Sequence, residues 1–126
     1  MNPIASFITK ENINDLISSK LKELKVDNDI GILSVDIDGV DYWVLDEITC
    51  VEPSIIICEY NSVFKNEIPL TIPYDAKFVR QDYHFSNLYF GANLKAFEIL
   101  LNKRGYLYIG SNSQNSNAFF CKKRTC

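Results

Sequence analysis

The chain has 126 residues, enough for one domain with a real hydrophobic core. Hydrophobic residues make up 47% and charged residues 23%, a balance that excludes disordered and fibrous classes. A formal charge of −3 argues against nucleic acid as a partner, because phosphate binding needs a basic face.

The opening "MNPIASFITKEN" lacks the charged-then-apolar order of a signal peptide. No apolar run reaches the roughly 18 residues a membrane helix needs, so no membrane is expected as a partner. "ITKENINDLISSKLKEL" is predicted to be a helix. Thr9 caps its polar first turn, and Ile13, Leu16, Ile17, Leu21 and Leu24 recur at helical spacing. "VDND" ends it.

"IGILSV" is a continuous apolar run of strand length. Continuous rather than alternating apolarity predicts a strand buried on both faces, as in a parallel sheet covered by helices. The run ends in Asp36 and Asp38, and Asp41 follows. "GVDYWVLDEITCV" reads as a short helix with Trp43, Val44, Leu45 and Ile48 inward, stopped by Pro53. "SIIICEY" is a second continuous strand, and it too ends in an acid, Glu59.

A long irregular stretch runs from about Asn61 to Tyr89. Seven aromatics between Phe64 and Phe90 argue for an ordered, functional loop, since disordered segments are poor in them. "NLKAFEILLNKRG" is a helix with Leu94, Phe97, Leu100 and Leu101 on one face and Gly105 at its end. "YLYIGS", the polar turn "NSQNSN" and "AFFCKK" read as an antiparallel hairpin. The basic stretch after it reads as a solvated end.

Cysteines stand at 50, 58, 121 and 126 with no CxxC pair, and one histidine, His84, is too few for a zinc set. Cys58 and Cys121 fall inside apolar runs and read as small core residues. The expected compartment is the reducing cytoplasm.

The order helix, strand, helix, strand, loop, helix, strand, strand predicts an α/β layered sheet. Ligands of such sheets bind outside the carboxyl ends of the strands. Asp36, Asp38 and Glu59 meet there if the first two strands are parallel neighbours. Each acid alone could be a turn or cap residue, Asp41 above all. Gathered like charges, however, need a cation or a proton to hold them.

"DIDG" after an apolar strand resembles the haloacid dehalogenase phosphatases, but valine follows here where that family has threonine, and no later lysine and acidic pair stand out. The wider pattern carries a different resemblance. "LSVDIDGVDYWVLDEI", "PSIIICEYNSVF", "IPYD" and "YFGANLKAFEILLNKRGYLYIGSNSQNSNAFF" together resemble the C-terminal half of class I S-adenosylmethionine-dependent methyltransferase-like proteins near the FkbM-type group. The likeness covers about residues 30–120. It implies a partial Rossmann-like sheet of two parallel strands with helices and a C-terminal antiparallel β-hairpin, in one domain over residues 1–126.

The same resemblance implies a role for the acids. Asp36, Asp38 and Glu59 would be catalytic, or would hold Mg or Mn. Asp41, Asn61, Tyr74, His84 and Tyr89 would line or cover a small-molecule or glycan acceptor, with Phe90 beside them. The glycine-rich cofactor half is absent: the glycines lie at 31, 39, 91, 105 and 110 and form no GxGxG. The expectation is therefore an acceptor-side half, inactive as an isolated chain, either a fragment or a short protein that kept this half. The rival is a non-enzymatic binding or assembly module. Without preceding strands, Ile32–Val35 becomes an unprotected sheet edge, which predicts a homo-oligomer.

Overall fold

The computed structural model describes residues 3–126, so residues 1 and 2 of the expected domain lie outside the described residues. The elements follow the predicted order: α1 (Ile13–Leu24), β1 (Ile32–Val35), α2 (Asp41–Glu47), β2 (Ile55–Glu59), a short α3 (Arg80–Tyr83), α4 (Leu94–Lys103), β3 (Tyr106–Ser111) and β4 (Asn117–Lys122). They form a mixed α/β structure around one four-stranded sheet, ordered β1-β2-β4-β3. The pair β1–β2 is parallel, and β4 runs antiparallel to both β2 and β3. No helix among the described residues is long and apolar enough to cross a membrane.

Local chemistry explains the helix ends. Thr9 and Asn12 bond reciprocally, Asn12 N–H to Thr9 Oγ1 and Thr9 N–H to Asn12 Oδ1, in a turn that precedes α1 rather than capping it. Lys25 ends α1 in the left-handed region at φ 55°, and Val26 N–H closes back on Leu21 O. Asn93 caps α4, its side chain accepting from Ala96 N–H.

The register puts Leu33, Val35, Ile56, Cys58, Ala118 and Phe120 on one face of the sheet. That face meets the helices, whose buried contribution includes Val44, Leu45, Phe97 and Leu101. The opposite face carries Ile32, Ile55, Ile57 and Phe119, none of them fully buried, and only Cys121 beside Ile55 is buried there. This overturns the expectation of strands buried on both faces. β2 alternates between half-buried and buried positions, and β1 exposes Ile32 to 62%. Apolar composition reported a strand correctly, but burial of its second face depends on neighbours that the run itself does not specify. Strand β1 is a sheet edge as expected, with no strand on its far side among the described residues.

A second correction concerns Cys121. It is joined to Cys126 in a disulfide, so it is not a free core thiol. Cys58 is the free, fully buried cysteine, and burial pushes its thiol up in pKa.

The long loop is ordered by two buried asparagines. Asn61 donates from Nδ2 to Leu88 O and Phe90 O and accepts from Val63 N–H. Asn93 donates to Lys65 O and Ile68 O and accepts from Leu70 N–H as well as Ala96 N–H. Both asparagine side chains are buried, so their polar atoms need such partners, and in finding them they tie down a loop whose own residues are largely exposed.

Candidate functional site

The parallel β1–β2 pair ends side by side, with Val35 opposite Cys58. The next residue on each strand is an acid. Asp36 and Glu59 therefore leave the sheet together, and the loop returns Asp41 to the same place. Carboxylate oxygens of Asp36, Asp41 and Glu59 all lie within 4.8 Å of one another.

The three acids have unlike surroundings. Asp36 is exposed. Asp41 is buried, and both its oxygens are engaged: Oδ1 accepts from Ile37 N–H at 2.8 Å and Oδ2 from Gly39 N–H at 2.9 Å. It thus grips the loop before α2 instead of capping the helix behind it. Burial raises its pKa; those two backbone bonds oppose the shift, and the charge of Asp36 adds to it. Glu59 is half-buried, and its Oε2 is shielded from solvent with no hydrogen-bond partner. Burial first, then the negative charges of Asp36, Asp41 and Asp38, push Glu59 up to about 8. No lysine or arginine among the described residues forms an ion pair with any of the three.

Of the expected group, then, Asp36 and Glu59 converge and Asp38 does not. Asp38 sits at φ 55°, which turns its side chain away from the cluster. Its Oδ1 accepts from the Arg80 guanidinium at 2.9 Å, across the rim of a neighbouring cavity. Asp41, expected to bind an acceptor, takes the third place among the carboxylates.

The other expected acceptor residues are dispersed. Asn61 spends its side chain on the loop backbone. Tyr74 donates to Glu11 Oε2 and accepts from Lys10 N–H, which ties the loop to the N-terminal segment. His84 is exposed, bonded to Ser86 Oγ and stacked on Phe85. Tyr89 stacks on Tyr83, with ring centroids 5.8 Å apart. Phe90 is buried beneath the Arg80 guanidinium, 3.8 Å from its ring centroid.

Arg80 and Gly39 were missed as site residues. Arg80 joins three parts: Asp38 on the loop after β1, Phe90, and Asn87 O, which accepts from Nε. Its place in "VRQDYH" carries no local signal for this. Gly39 does carry one, in "DG": a Cβ there would come within 2.5 Å of the Phe78 ring.

The cluster is suited to a hard cation. It offers oxygen donors only, and one of them is a buried oxygen without a partner. A proton shared between Glu59 and a neighbouring carboxylate would answer the same need. Comparison of this chain with protein-family models, with curated proteins and with solved structures returns no match.

Proposed function

We propose that this chain is the acceptor-side half of an S-adenosylmethionine-dependent methyltransferase-like domain, inactive as an isolated chain, with a divalent cation such as Mg or Mn on Asp36, Asp41 and Glu59. One observation carries this reading: a parallel strand pair ends in convergent carboxylates and is continued by a helix and an antiparallel hairpin. That is the closing arrangement the resemblance implies. The described residues hold no glycine-rich turn, so they offer S-adenosylmethionine no cradle. What they supply is acceptor-side chemistry. A cation on the three carboxylates would lower the pKa of an acceptor hydroxyl. Without a cation, Glu59, poised near neutrality, would take that proton as general base. Isothermal titration with S-adenosylmethionine is the direct test. Micromolar binding supports an enzyme assembled from two chains, and absence of binding at millimolar ligand favours the binding or assembly module.

A binding or assembly module is the second reading, and the exposed β1 edge favours it. Neither Lys nor Pro protects "ILSV", and Ile32 stands open on the uncovered face. A two-fold homo-oligomer that pairs this edge follows from either reading. Light scattering at tens of micromolar checks it: a clean monomer rejects the edge-pairing. A dehalogenase-type phosphatase is the weakest alternative, since no lysine pairs with the candidate nucleophile Asp36.

A further inference from the structure

The end of β2 remote from the acid cluster carries the opposite charge. Glu59 closes the strand on the acid side, and Glu52 stands just before its other end. An open cavity of about 480 Å³, within the range of ligand sites, lies there. Thr49, Glu52, Arg104, Tyr106, Lys122 and Arg124 line it. The basic stretch at the end of β4 is thus not merely a solvated end. Lys122 Nζ donates to Glu52 Oε2 at 2.8 Å, and Arg124 approaches the same oxygen at 3.9 Å. Arg104 is half-buried, and neutral acceptors alone fix its guanidinium: Nη1 donates to Leu45 O and Nη2 to Ile48 O. No carboxylate among the described residues forms an ion pair with it. The carbonyl end of α2 offsets only about half of its charge. Its Nε–H and the second proton on each Nη have no acceptor. Lys122, its side chain 17% exposed, likewise has protons to spare after Glu52. Three cations therefore meet one carboxylate, in a protein whose formal charge is −3.

We infer that this cavity binds the dianion of a phosphate monoester, held by Arg104, Lys122 and Arg124 with the Thr49 hydroxyl beside them. Charge selects it. A dianion cancels the excess of the three cations over Glu52, whereas a carboxylate leaves one charge over and a cation is repelled. Donor chemistry agrees: a half-buried guanidinium and an enclosed ammonium with free protons call for an anionic acceptor, and phosphate offers several oxygens at once. Glu52 holds part of that place in the free protein. Its side chain is 62% exposed, so it can turn to solvent and leave Lys122 to the ligand. The inference goes beyond the methyltransferase reading and is independent of it, because the acid cluster and any cation there lie past the far end of β2.

The test is an NMR titration of labelled protein with glycerol 3-phosphate, with inorganic phosphate as the bare anion and acetate as the monoanion. The expected result is saturable, millimolar shifts at the Arg104 Nε–H and the Lys122 amide for the ester, and binding about tenfold weaker for acetate. Lowering the pH from about 7.5 to about 5.5 should weaken ester binding about fourfold, since the second phosphate proton binds near pH 6. Across that window Arg104, Lys122 and Arg124 stay cationic, Tyr106 stays neutral, and Glu52, its pKa lowered by Lys122, stays anionic. Glu52→Gln should tighten binding several-fold, because it removes the competing carboxylate and an exposed ion pair contributes little to the fold. Lys122→Gln should weaken binding about tenfold, and the more exposed Arg124→Gln about threefold. No saturable shift with the ester at tens of millimolar overturns the inference. So does acetate binding as tightly, inorganic phosphate binding where the ester does not, or binding unchanged or weakened by Glu52→Gln. No readout depends on S-adenosylmethionine or on a metal, so this site and the methyltransferase reading fail separately.

Discussion

Glu59 and Asn61 stand two residues apart at the end of β2, and their side chains meet opposite conditions. Asn61 is buried and has a partner for its carbonyl and two for its amide. Glu59 is half-buried and leaves an oxygen with none. Asn93, at the far end of the long loop, repeats the first pattern with four hydrogen bonds. Buried polar groups that build a fold are matched by the fold itself. The unmatched one lies where two parallel strands deliver acids, the ordinary place for a ligand. The contrast separates polar residues that hold the loop from those available for chemistry.

The largest expected effect tests the matched side. Asn93→Ala removes the α4 cap and strands the backbone groups of Lys65, Ile68 and Leu70, which should cost about 3 kcal/mol of stability. Urea unfolding measures it. A loss below about 1 kcal/mol would mean that water replaces the asparagine and the loop is less enclosed than its contacts indicate.

Glu59 gives the next effect, with a definite sign. Its folded pKa is raised from 4.5 to about 8, so the folded state holds a proton that the unfolded chain has already released. Stability contributed by this group is fully present below about pH 4.5 and is lost as pH rises through about 8. After discount for solvent screening of a half-buried group, the loss amounts to about 1–2 kcal/mol. Glu59→Gln should flatten stability across that window, as read by thermal unfolding at a series of pH values. An equally steep profile in the variant would assign the pH dependence to other groups.

Mg or Mn sharpens the same comparison. A cation selective for the folded cluster should raise the melting temperature at pH 8 by the equivalent of about 1 kcal/mol, and by less at pH 6, where a proton competes. Asp36→Asn should abolish the shift, while Asp38→Asn should leave it, because Asp38 faces Arg80. Loss of the shift in both variants would restore Asp38 to the ligand set.

Smallest is the tail. The Cys121–Cys126 bond closes a short loop at the chain end, so Cys126→Ser should cost about 1 kcal/mol or less. A melting temperature that collapses on reduction would show that the bond holds the β4 end of the sheet.

The sequence determined the elements and their order. Apolar runs ending in acids located β1 and β2, helical spacing located α1 and α4, and a polar turn located the hairpin. These signals are local, because burial of one side chain after another imposes its period on the chain. It also placed Asp36 and Glu59 at a common edge, since parallel neighbours end on the same side. Tertiary structure alone decided the third acid. Between Asp36 and Asp41, a single left-handed residue at Asp38 turns one carboxylate outward, and two loop N–H groups draw Asp41 back. Spacing carries no information about such torsions. Likewise only the assembled sheet left β1 and β2 uncovered on one face, because an apolar side chain does not specify which neighbour covers it. Asn61 and Asn93 are as polar as any surface residue in the sequence. They became structural when the fold buried their side chains, whose polar atoms then took the loop backbone as partners.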